Sequence, residues 1–320
     1  MLCMILVSCT GQKTGKENDN NDKIAIEVGE IKFPPQDVLQ LKSYYLSSSV
    51  HVDSIDYLIG YNYRLHSLDC MNLKSKSVTQ IVLPGDGPDA IVRLSGIYAQ
   101  SLDSVWISDE SERAFLIDSV GTIKRMIDLK KYLEDQEQLL INTNYAMFTS
   151  HLFYNASRHS LMFLVKHTPS NTFIVKEVFI DEVGKMATYQ LSSSKVVPDM
   201  SKGYAYINFP NVNFVGENIV YNYPVESSIY MLDIRTNERK YILADSHYTS
   251  NIIEKCTTSG DYATLEKHWL ENSHFYDIMY LPKYKIYARL HADKVDFDEK
   301  KGMETVSYTH LRAHETDQYL

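Results

Sequence analysis

The hydrophobic and polar positions of this chain repeat in a fixed order. An apolar strand is followed by a polar turn, a second apolar strand that ends at an aspartate, a tight turn and a third strand. The clearest copy has its strands at 104–108, 114–118 and 122–129. Further copies lie at 218–221, 228–233 and 240–243, and at 161–165 and 173–181. Short strands of this apolar, β-branched and aromatic composition predict an all-β protein.

The spacing of these copies predicts the architecture. Looser copies at 57–69 and 285–298 complete a series of strand-end aspartates, namely Asp69, Asp118, Asp181, Asp233 and Asp298. Successive members are 49, 63, 52 and 65 residues apart. Repeats of about 40–50 residues with three or four strands are typical of β-propeller blades, and longer intervals predict insertions between blades. A β-sandwich with repeated hairpins is the alternative, although a sandwich seldom shows so long a period.

Two segments predict short helices inserted between blades. Residues 129–140 have apolar side chains at partly helical spacing, and residues 262–270 form the other candidate.

The first 23 residues predict a membrane anchor. The apolar run 2–7 leads to Ser8 and Cys9, as in the lipobox of a bacterial lipoprotein, and residues 10–23 form a polar tether. We therefore expect a truncated signal peptide at 1–9, lipidation of Cys9 and attachment to a membrane through that lipid. No basic residue precedes Lys13, so the leader lacks the usual charged start. The alternative is a buried first strand.

The C-terminal residues 306–320 are expected to be non-native. Eleven consecutive residues from Val306 resemble an in-frame translation of a sequencing adapter. We therefore exclude His310 and His314 as metal ligands, and the expected propeller domain spans 24–305, with the native chain continuing beyond it.

Composition and charge exclude some classes of binding partner. The net charge is −9 without a basic run, which argues against nucleic-acid binding. The sequence contains no run of about 18 apolar residues, so it predicts no membrane-spanning helix. Cys70 and Cys256 match no zinc spacing, and they are either a disulfide pair or two isolated buried thiols. We expect no cofactor and no metal.

Three segments resemble a known family. They are residues 83–89, residues 94–107 and residues 274–291, which together with the lipobox are similar to the DUF4221 (domain of unknown function 4221) lipoproteins of Bacteroidetes. The segments are also similar, more loosely, to six-bladed, TolB-like propeller lipoproteins. The resemblance implies a six-bladed propeller in the cell envelope, incomplete at its C-terminus here. It implies no activity and no functional residues.

Candidate chemistry is sparse. Asp86 and Asp89 lie on a Gly-Asp-Gly-Pro turn and fall short of a calcium site. Acidic residues between two predicted strands form a solvated turn or an acid–base pair. Three histidines fit no metal spacing, and the tryptophans and C-terminal tyrosines are core residues or sugar platforms. These residues are Asp109, Glu110 and Glu112; His268, His274 and His291; Trp106 and Trp269; and Tyr276, Tyr280, Tyr284 and Tyr287.

Two functions remain open. The first is a non-enzymatic binding or scaffolding lipoprotein on the periplasmic or cell-surface side of a bacterial membrane, with a protein, peptide or glycan partner. The alternative is a carbohydrate-active enzyme with carboxylates in a central channel. The fold alone does not choose between them, because one architecture hosts both. The catalytic and ligand-binding residues are unknown from sequence.

Overall fold

The computed structural model describes residues 2–5, 27–33, 46–141, 151–195, 209–246, 249–255, 262–282, 284–292 and 294. The predicted lipidation site Cys9, the tether and the segment 306–320 lie outside these residues. Strand β1 (Leu2–Ile5) pairs with β2 (Glu27–Glu30) in a two-stranded sheet. The chain divides into two compact units, which meet in sequence between residues 191 and 192.

The first unit contains three antiparallel sheets. The first sheet consists of β3 (Ser47–Val52), β4 (Ile55–Asn62), β5 (Ser67–Asn72) and β6 (Val78–Val82). The second consists of β7 (Leu94–Ser101), β8 (Ser104–Asp109), β9 (Arg113–Ile117) and β10 (Ile123–Asp128). The third consists of β11 (Glu137–Leu139), β12 (Phe153–Asn155), β13 (Ser160–His167), β14 (Thr172–Phe179) and β15 (Met186–Gln190).

The second unit contains a fourth sheet, one helix and a hairpin. The sheet consists of β16 (Asn211–Val215), β17 (Asn218–Asn222), β18 (Ile229–Asp233) and β19 (Arg239–Ile242). Helix α1 (Tyr262–Leu270) precedes the two-stranded hairpin of β20 (His274–Leu281) and β21 (Ile286–Ala292). The fold is therefore all-β with a β-propeller arrangement, in which four sheets of four or five strands lie within the described residues, and the six blades that the resemblance implied stay a prediction.

Apolar layers join successive sheets of the first unit. One cluster combines Ile59 and Leu68 of the first sheet with Ile107 and Phe115 of the second. Another combines Trp106 of the second sheet with side chains of the third, including Phe163. The second sheet therefore buries both of its faces, one against the first sheet and one against the third, and apolar burial at about 25 cal/mol per Å² holds these three sheets together.

Glycine permits two close approaches in this stack. Gly121 has φ +86° in the turn between β9 and β10, and a Cβ there would overlap the Val82 carbonyl of the first sheet. Gly96 on β7 faces Ile141 and Leu152, and a Cβ there would overlap Ile141 Cγ2. Any larger residue would push neighbouring sheets apart.

The sequence pattern corresponds to the second, third and fourth strands of each sheet. Asp118 and Asp233 follow or end third strands as predicted, because each carboxylate accepts amide hydrogen bonds from the next turn. The placement of Asp69 at a strand end was wrong, since it lies inside β5 and is fully buried. Asn72 ends that strand instead, and its side chain accepts from the amides of Lys74 and Ser75.

The other predicted elements fared unevenly. The helix at 262–270 is confirmed as α1. The helix at 129–140 was wrong: Leu129–Tyr132 is a single 3₁₀ turn capped by the Asp128 side chain, and β11 follows it. Cys70 is a buried free thiol, and Cys256 lies outside the described residues. Asp298 also lies outside them.

Candidate functional site

Buried polar atoms without a partner mark the loop that joins β17 to β18, which we call the β17–β18 loop (residues 223–228). Asn222, at the end of β17, is fully buried, and neither its Nδ2 nor its Oδ1 has a hydrogen-bond partner among the described residues. Glu226, inside the loop, is also fully buried, and its Oε2 has no partner in the part of the chain that the structure describes. Because nearly all buried polar groups in proteins are hydrogen-bonded, three such atoms on one hairpin single it out.

Loop length explains why Asn222 lacks partners. In the first sheet the matching residue, Asn62, accepts a hydrogen bond from the Leu65 amide at 3.2 Å. In the second, Asp109 Oδ1 accepts from the Ser111 amide at 3.0 Å. Those loops contain four and three residues, whereas the β17–β18 loop contains six. The longer loop carries its amides away from the Asn222 side chain.

The Glu226 carboxylate lies among tyrosines. Tyr230 donates its hydroxyl hydrogen to Glu226 Oε1 at 2.9 Å and accepts the Lys195 amide at 2.8 Å. Burial raises the pKa of Tyr230, and the nearby Glu226 adds to that rise. No ion pair involves Glu226 in the part of the chain that the structure describes. The carboxylate is therefore held by one phenol and retains an oxygen that can accept another donor.

Four tyrosines form the surrounding cluster, which we call the tyrosine cluster: Tyr221, Tyr223, Tyr230 and Tyr241. Tyr221 and Tyr230 stack with centroids 5.1 Å apart, and Tyr223 meets Tyr230 edge-on at 5.8 Å. Two of the hydroxyls bind the backbone of Ser192. The Ser192 amide donates to the Tyr221 hydroxyl, and the Tyr223 hydroxyl donates to the Ser192 carbonyl, both at 2.8 Å. Each buried ring thus packs while its hydroxyl is satisfied.

Asn222 lies on the opposite face of the fourth sheet. It pairs with Ile229 across the strands, whereas Tyr221 pairs with Tyr230, and adjacent residues point to opposite faces. The Asn222 face contacts β20, whose backbone accepts hydrogen bonds from two asparagine side chains of β16. Asn211 Nδ2 donates to the Phe275 carbonyl at 3.3 Å, and Asn213 Nδ2 donates to the Ile278 carbonyl at 2.8 Å.

Arg289 fixes the β17–β18 loop from the hairpin. Its guanidinium donates to the carbonyls of Ser227 at 2.7 Å and Ala244 at 3.0 Å, and lies 4.2 Å from the Phe275 ring centroid. The His291 ring also stacks on Phe275, with the two ring centroids 4.2 Å apart. The loop is therefore held in place while Glu226 Oε2 remains unpaired.

The carboxylates singled out from sequence have local roles or remain exposed. Asp86 and Asp89 are exposed on the predicted tight turn. Asp109 is buried rather than solvated, and Arg113 Nη2 lies 2.6 Å from its Oδ2. Glu110 is half-exposed and lies 3.5 Å from Arg93. The structure does not bring these residues together as an acid–base pair.

The histidines and tryptophans are placed as follows. His274 and His291 lie on adjacent strands of the terminal hairpin. Burial lowers the pKa of His274 to about 3, so the ring is neutral. Trp269 packs against it with centroids 3.5 Å apart, whereas Trp106 is in the core as expected. His268 Nε2 lies 2.6 Å from the Glu254 carbonyl.

Of the predicted tyrosine group, Tyr280 and Tyr287 contact each other across the hairpin, with ring centroids 5.1 Å apart. Tyr276 instead lies beside His274, with centroids 5.1 Å apart. Among the described residues, no group of three or more histidine, cysteine, aspartate or glutamate side chains is arranged to hold a metal ion. None of the described helices is long and apolar enough to cross a membrane.

Sequence reasoning missed Glu226 and Asn222. One signal was available: Glu226 is the only charged residue between Asn218 and Asp233, in a segment otherwise composed of apolar, tyrosine and small polar residues. A lone carboxylate in such a segment is costly to bury, so its retention indicates a specific role.

Comparison with solved structures supports the fold. The chain is similar to a member of the DUF4221 family from Bacteroides vulgatus, with TM-score 0.64, 14% identity, and coverage of 83% of this chain and 76% of that chain. This likeness confirms, for the fold, the resemblance seen in the sequence.

Two other likenesses are too distant to bear on function. Hydrazine synthase from Kuenenia stuttgartiensis gives TM-score 0.43 at 11% identity, with coverage of 83% of this chain and 67% of that chain. A protein of unknown function from Bacteroides caccae gives TM-score 0.36 at 9% identity, with coverage of 71% and 61%. No family model and no curated protein matches the sequence.

Proposed function

We propose that the protein is a lipid-anchored binding module of a bacterial cell envelope. Hydrolysis of the peptide bond between Ser8 and Cys9 makes Cys9 the first residue of the mature chain, and its lipid holds the protein on the periplasmic or cell-surface side of a membrane. The polar tether 10–23 then separates the β sheets from the bilayer. The lipobox pattern and the tether composition support this location.

A binding role is favoured over catalysis because the other buried carboxylates of the described residues are already engaged. Asp109 pairs with Arg113, and Glu177 accepts from Arg158 at 2.8 Å and from Tyr189 at 2.7 Å. Such groups are held by their partners and hold the fold. They are not placed as the two free carboxylates that glycoside hydrolysis requires.

The observation that carries the proposal is the unpaired oxygen of Glu226. A buried acceptor without a donor costs roughly 1–3 kcal/mol, and a ligand that supplies the donor recovers that energy. An ammonium or hydroxyl group of a protein, peptide or glycan partner has the required chemistry. Residues 249–253, which pair with the β17–β18 loop through Ile252 and Ile253, are the covering segment that such a partner displaces.

Affinity capture from envelope extracts tests the binding role. The bait is the mature chain, compared with its Glu226→Gln variant, which keeps the shape but replaces the acceptor charge. The matched control is Glu110→Gln, a change on the half-exposed carboxylate of another sheet. We expect the same partner with the native chain and the control, and its loss with Glu226→Gln. Failure to recover a partner, or retention by all three baits, contradicts the proposal, as does turnover of a polysaccharide.

The anchor has a separate test. Cys9→Ser should move the protein from the membrane fraction to the soluble fraction and remove the lipid mass from its N-terminal peptide. Cys3→Ser, which alters the other leader cysteine, should leave both unchanged. Membrane association that persists in Cys9→Ser overturns the assignment of Cys9.

A further inference from the structure

The connection between β6 and β7 carries the single aspartate–glycine pair of the sequence. Asp86 and Gly87 lie in the turn formed by residues 84–91, and both are exposed. Gly87 has φ +91°, and a Cβ there would meet no atom within 4 Å. The sequence contains no asparagine–glycine pair, so this turn holds the one bond of the type that rearranges most readily.

Hydrogen bonds fix the frame of this turn and leave the Asp86 carboxylate and the Gly87 amide unused. The Ile91 amide donates to the Pro84 carbonyl at 2.8 Å, and the Ala90 amide donates to the Gly87 carbonyl at 3.1 Å. The stretch of chain that contains the turn is described without a gap. Among the described residues, neither the Asp86 carboxylate nor the Gly87 amide has a hydrogen-bond partner.

An aspartyl–glycyl bond can rearrange with no reagent other than water. The Gly87 nitrogen attacks Asp86 Cγ and loses its proton, a carboxyl oxygen leaves as water, and a five-membered succinimide forms. Water then opens the ring. Hydrolysis at Cγ restores aspartate, whereas hydrolysis at the main-chain carbonyl leaves the chain running through the side chain, as isoaspartate. Glycine favours the attack because no side chain shields its nitrogen and because it reaches conformations that other residues avoid.

Asp118, which precedes Ser119 in another exposed turn, shows the opposite arrangement. Its Oδ1 accepts two amides of that turn, at 3.1 and 2.8 Å, and its Oδ2 lies 2.7 Å from Lys124 Nζ. The Asp118 carboxylate must break these hydrogen bonds before its Cγ can meet the next nitrogen, and that costs free energy. Asp86 has no such contact to lose, so Asp118 is the internal reference for its reactivity.

We propose that Asp86 is a site of isoaspartate formation in the folded protein. The rearrangement adds one methylene to the main chain and leaves the α-carboxylate of Asp86 free in place of the side-chain carboxylate. The net charge is therefore unchanged once the ring has opened. Open space beside Gly87 lets the turn take up the added length, and the hydrogen bond between Ile91 and Pro84 keeps the base of the turn in place. The modified protein accumulates without unfolding.

Peptide mapping of the purified full chain, incubated for several weeks at neutral pH, measures the modification. The isoaspartyl peptide resists an endoproteinase that cleaves before aspartate, and chromatography separates it from the aspartyl peptide of identical mass. We expect isoaspartate to form at least about tenfold faster at Asp86 than at Asp118, whose hydrogen bonds must open first. A parallel sample in guanidinium gives the rate without the fold. Absence of isoaspartate from the folded sample, or equal rates at the two aspartates, overturns the proposal.

Two conservative variants on exposed positions identify the residue. Asp86→Glu keeps the charge but lengthens the side chain, so the five-membered ring cannot close and the modified peptide should be lost. Asp89→Glu, in the same turn, should leave its formation unchanged. If the modified peptide persists in Asp86→Glu, the assignment is wrong. The incubated native chain should also keep its urea midpoint, and a midpoint that falls as isoaspartate accumulates contradicts formation without unfolding.

Discussion

Gly96 provides a quantitative test of the tight packing between the second and third sheets. The residue lies on β7 opposite Ser108, and a methyl group there would overlap Ile141 Cγ2 and lie 2.6 Å from Ser108 Oγ. Optimal separations for such atoms are about 3.5–4.0 Å, so neighbouring groups must move by roughly 1 Å. Gly96→Ala should therefore destabilise the first unit.

A second glycine supplies the matched control. Gly85 is exposed, and a methyl group there would lie 3.6 Å from His66 Cδ2, which is an ordinary contact. Both changes restrict the unfolded chain equally and stabilise by about 0.4–1 kcal/mol on that account. Overpacking at Gly96 adds a cost of about 1–3 kcal/mol. The two variants should then differ by about 2 kcal/mol in free energy of unfolding, with Gly96→Ala the less stable.

Urea unfolding followed by tryptophan fluorescence measures this difference. Trp106 is buried in the same apolar layer, and Trp269→Phe in all proteins confines the signal to the first unit. A lower midpoint at unchanged slope indicates lost stability rather than an altered unfolded state. If Gly96→Ala and Gly85→Ala unfold at the same urea concentration, the sheets are not packed as closely as described.

Three further predictions concern buried and titrating groups. Lys176→Met should destabilise the protein by about 3–5 kcal/mol, because it leaves the buried Glu137 carboxylate, whose Oε2 lies 2.5 Å from Nζ, without its partner. The double change with Glu137→Leu should recover most of that loss in denaturant unfolding. Equal losses in the single and double variants would contradict this. The pKa of Asp118 is lowered to about 2, chiefly by its hydrogen bond from Lys124. The contribution of this carboxylate to the free energy of unfolding is therefore present above its unfolded pKa of 3.8 and is lost as pH falls towards 2. Asp118→Asn should make the free energy of unfolding depend less on pH in that range. An unchanged pH dependence would refute the assignment. Burial raises the pKa of the Cys70 thiol to about 11, so alkylation at pH 8 should be far slower in folded than in unfolded protein by mass spectrometry; equal rates would show that the thiol is accessible.

The repeats were predictable where an aspartate side chain accepts hydrogen bonds from its own turn. Asp118 and Asp233 accept amides from the turn that follows them, and the same residue type at the same place made the period visible. Asn72 performs this task with an amide, so the pattern was missed there and Asp69 was chosen wrongly.

The first strands of the sheets were harder to predict because they combine polar residues with apolar ones. β3 begins with three serines, and β16 carries two asparagines whose side chains bind the backbone of β20. The false helix at 129–140 has a similar cause. Lys176, on the distant strand β14, donates to the Tyr132 carbonyl at 2.7 Å and pairs with Glu137. These contacts favour an extended chain after Tyr132.

The candidate site was not predictable from local sequence. Glu226 is buried because residues 249–253, a segment distant in the chain, pair with its loop, and because tyrosines of its own hairpin surround it. Sequence shows that a lone carboxylate occurs in this segment. Only the folded chain shows that one of its oxygens is enclosed with no donor from the described residues.

The central claim is that the first strands of the first and second sheets, within the first unit, lie side by side. The Ala99 amide on β7 donates to Ser48 Oγ on β3 at 3.0 Å, which places two adjacent sheets in contact. Ser48→Cys with Ala99→Cys should therefore form a disulfide under mild oxidation, detected by non-reducing peptide mapping. Ser48→Cys with Thr79→Cys, which spans the first sheet from β3 to β6 over about 14 Å, should not. Absence of the first crosslink, or formation of the second, would contradict the stacking of these sheets.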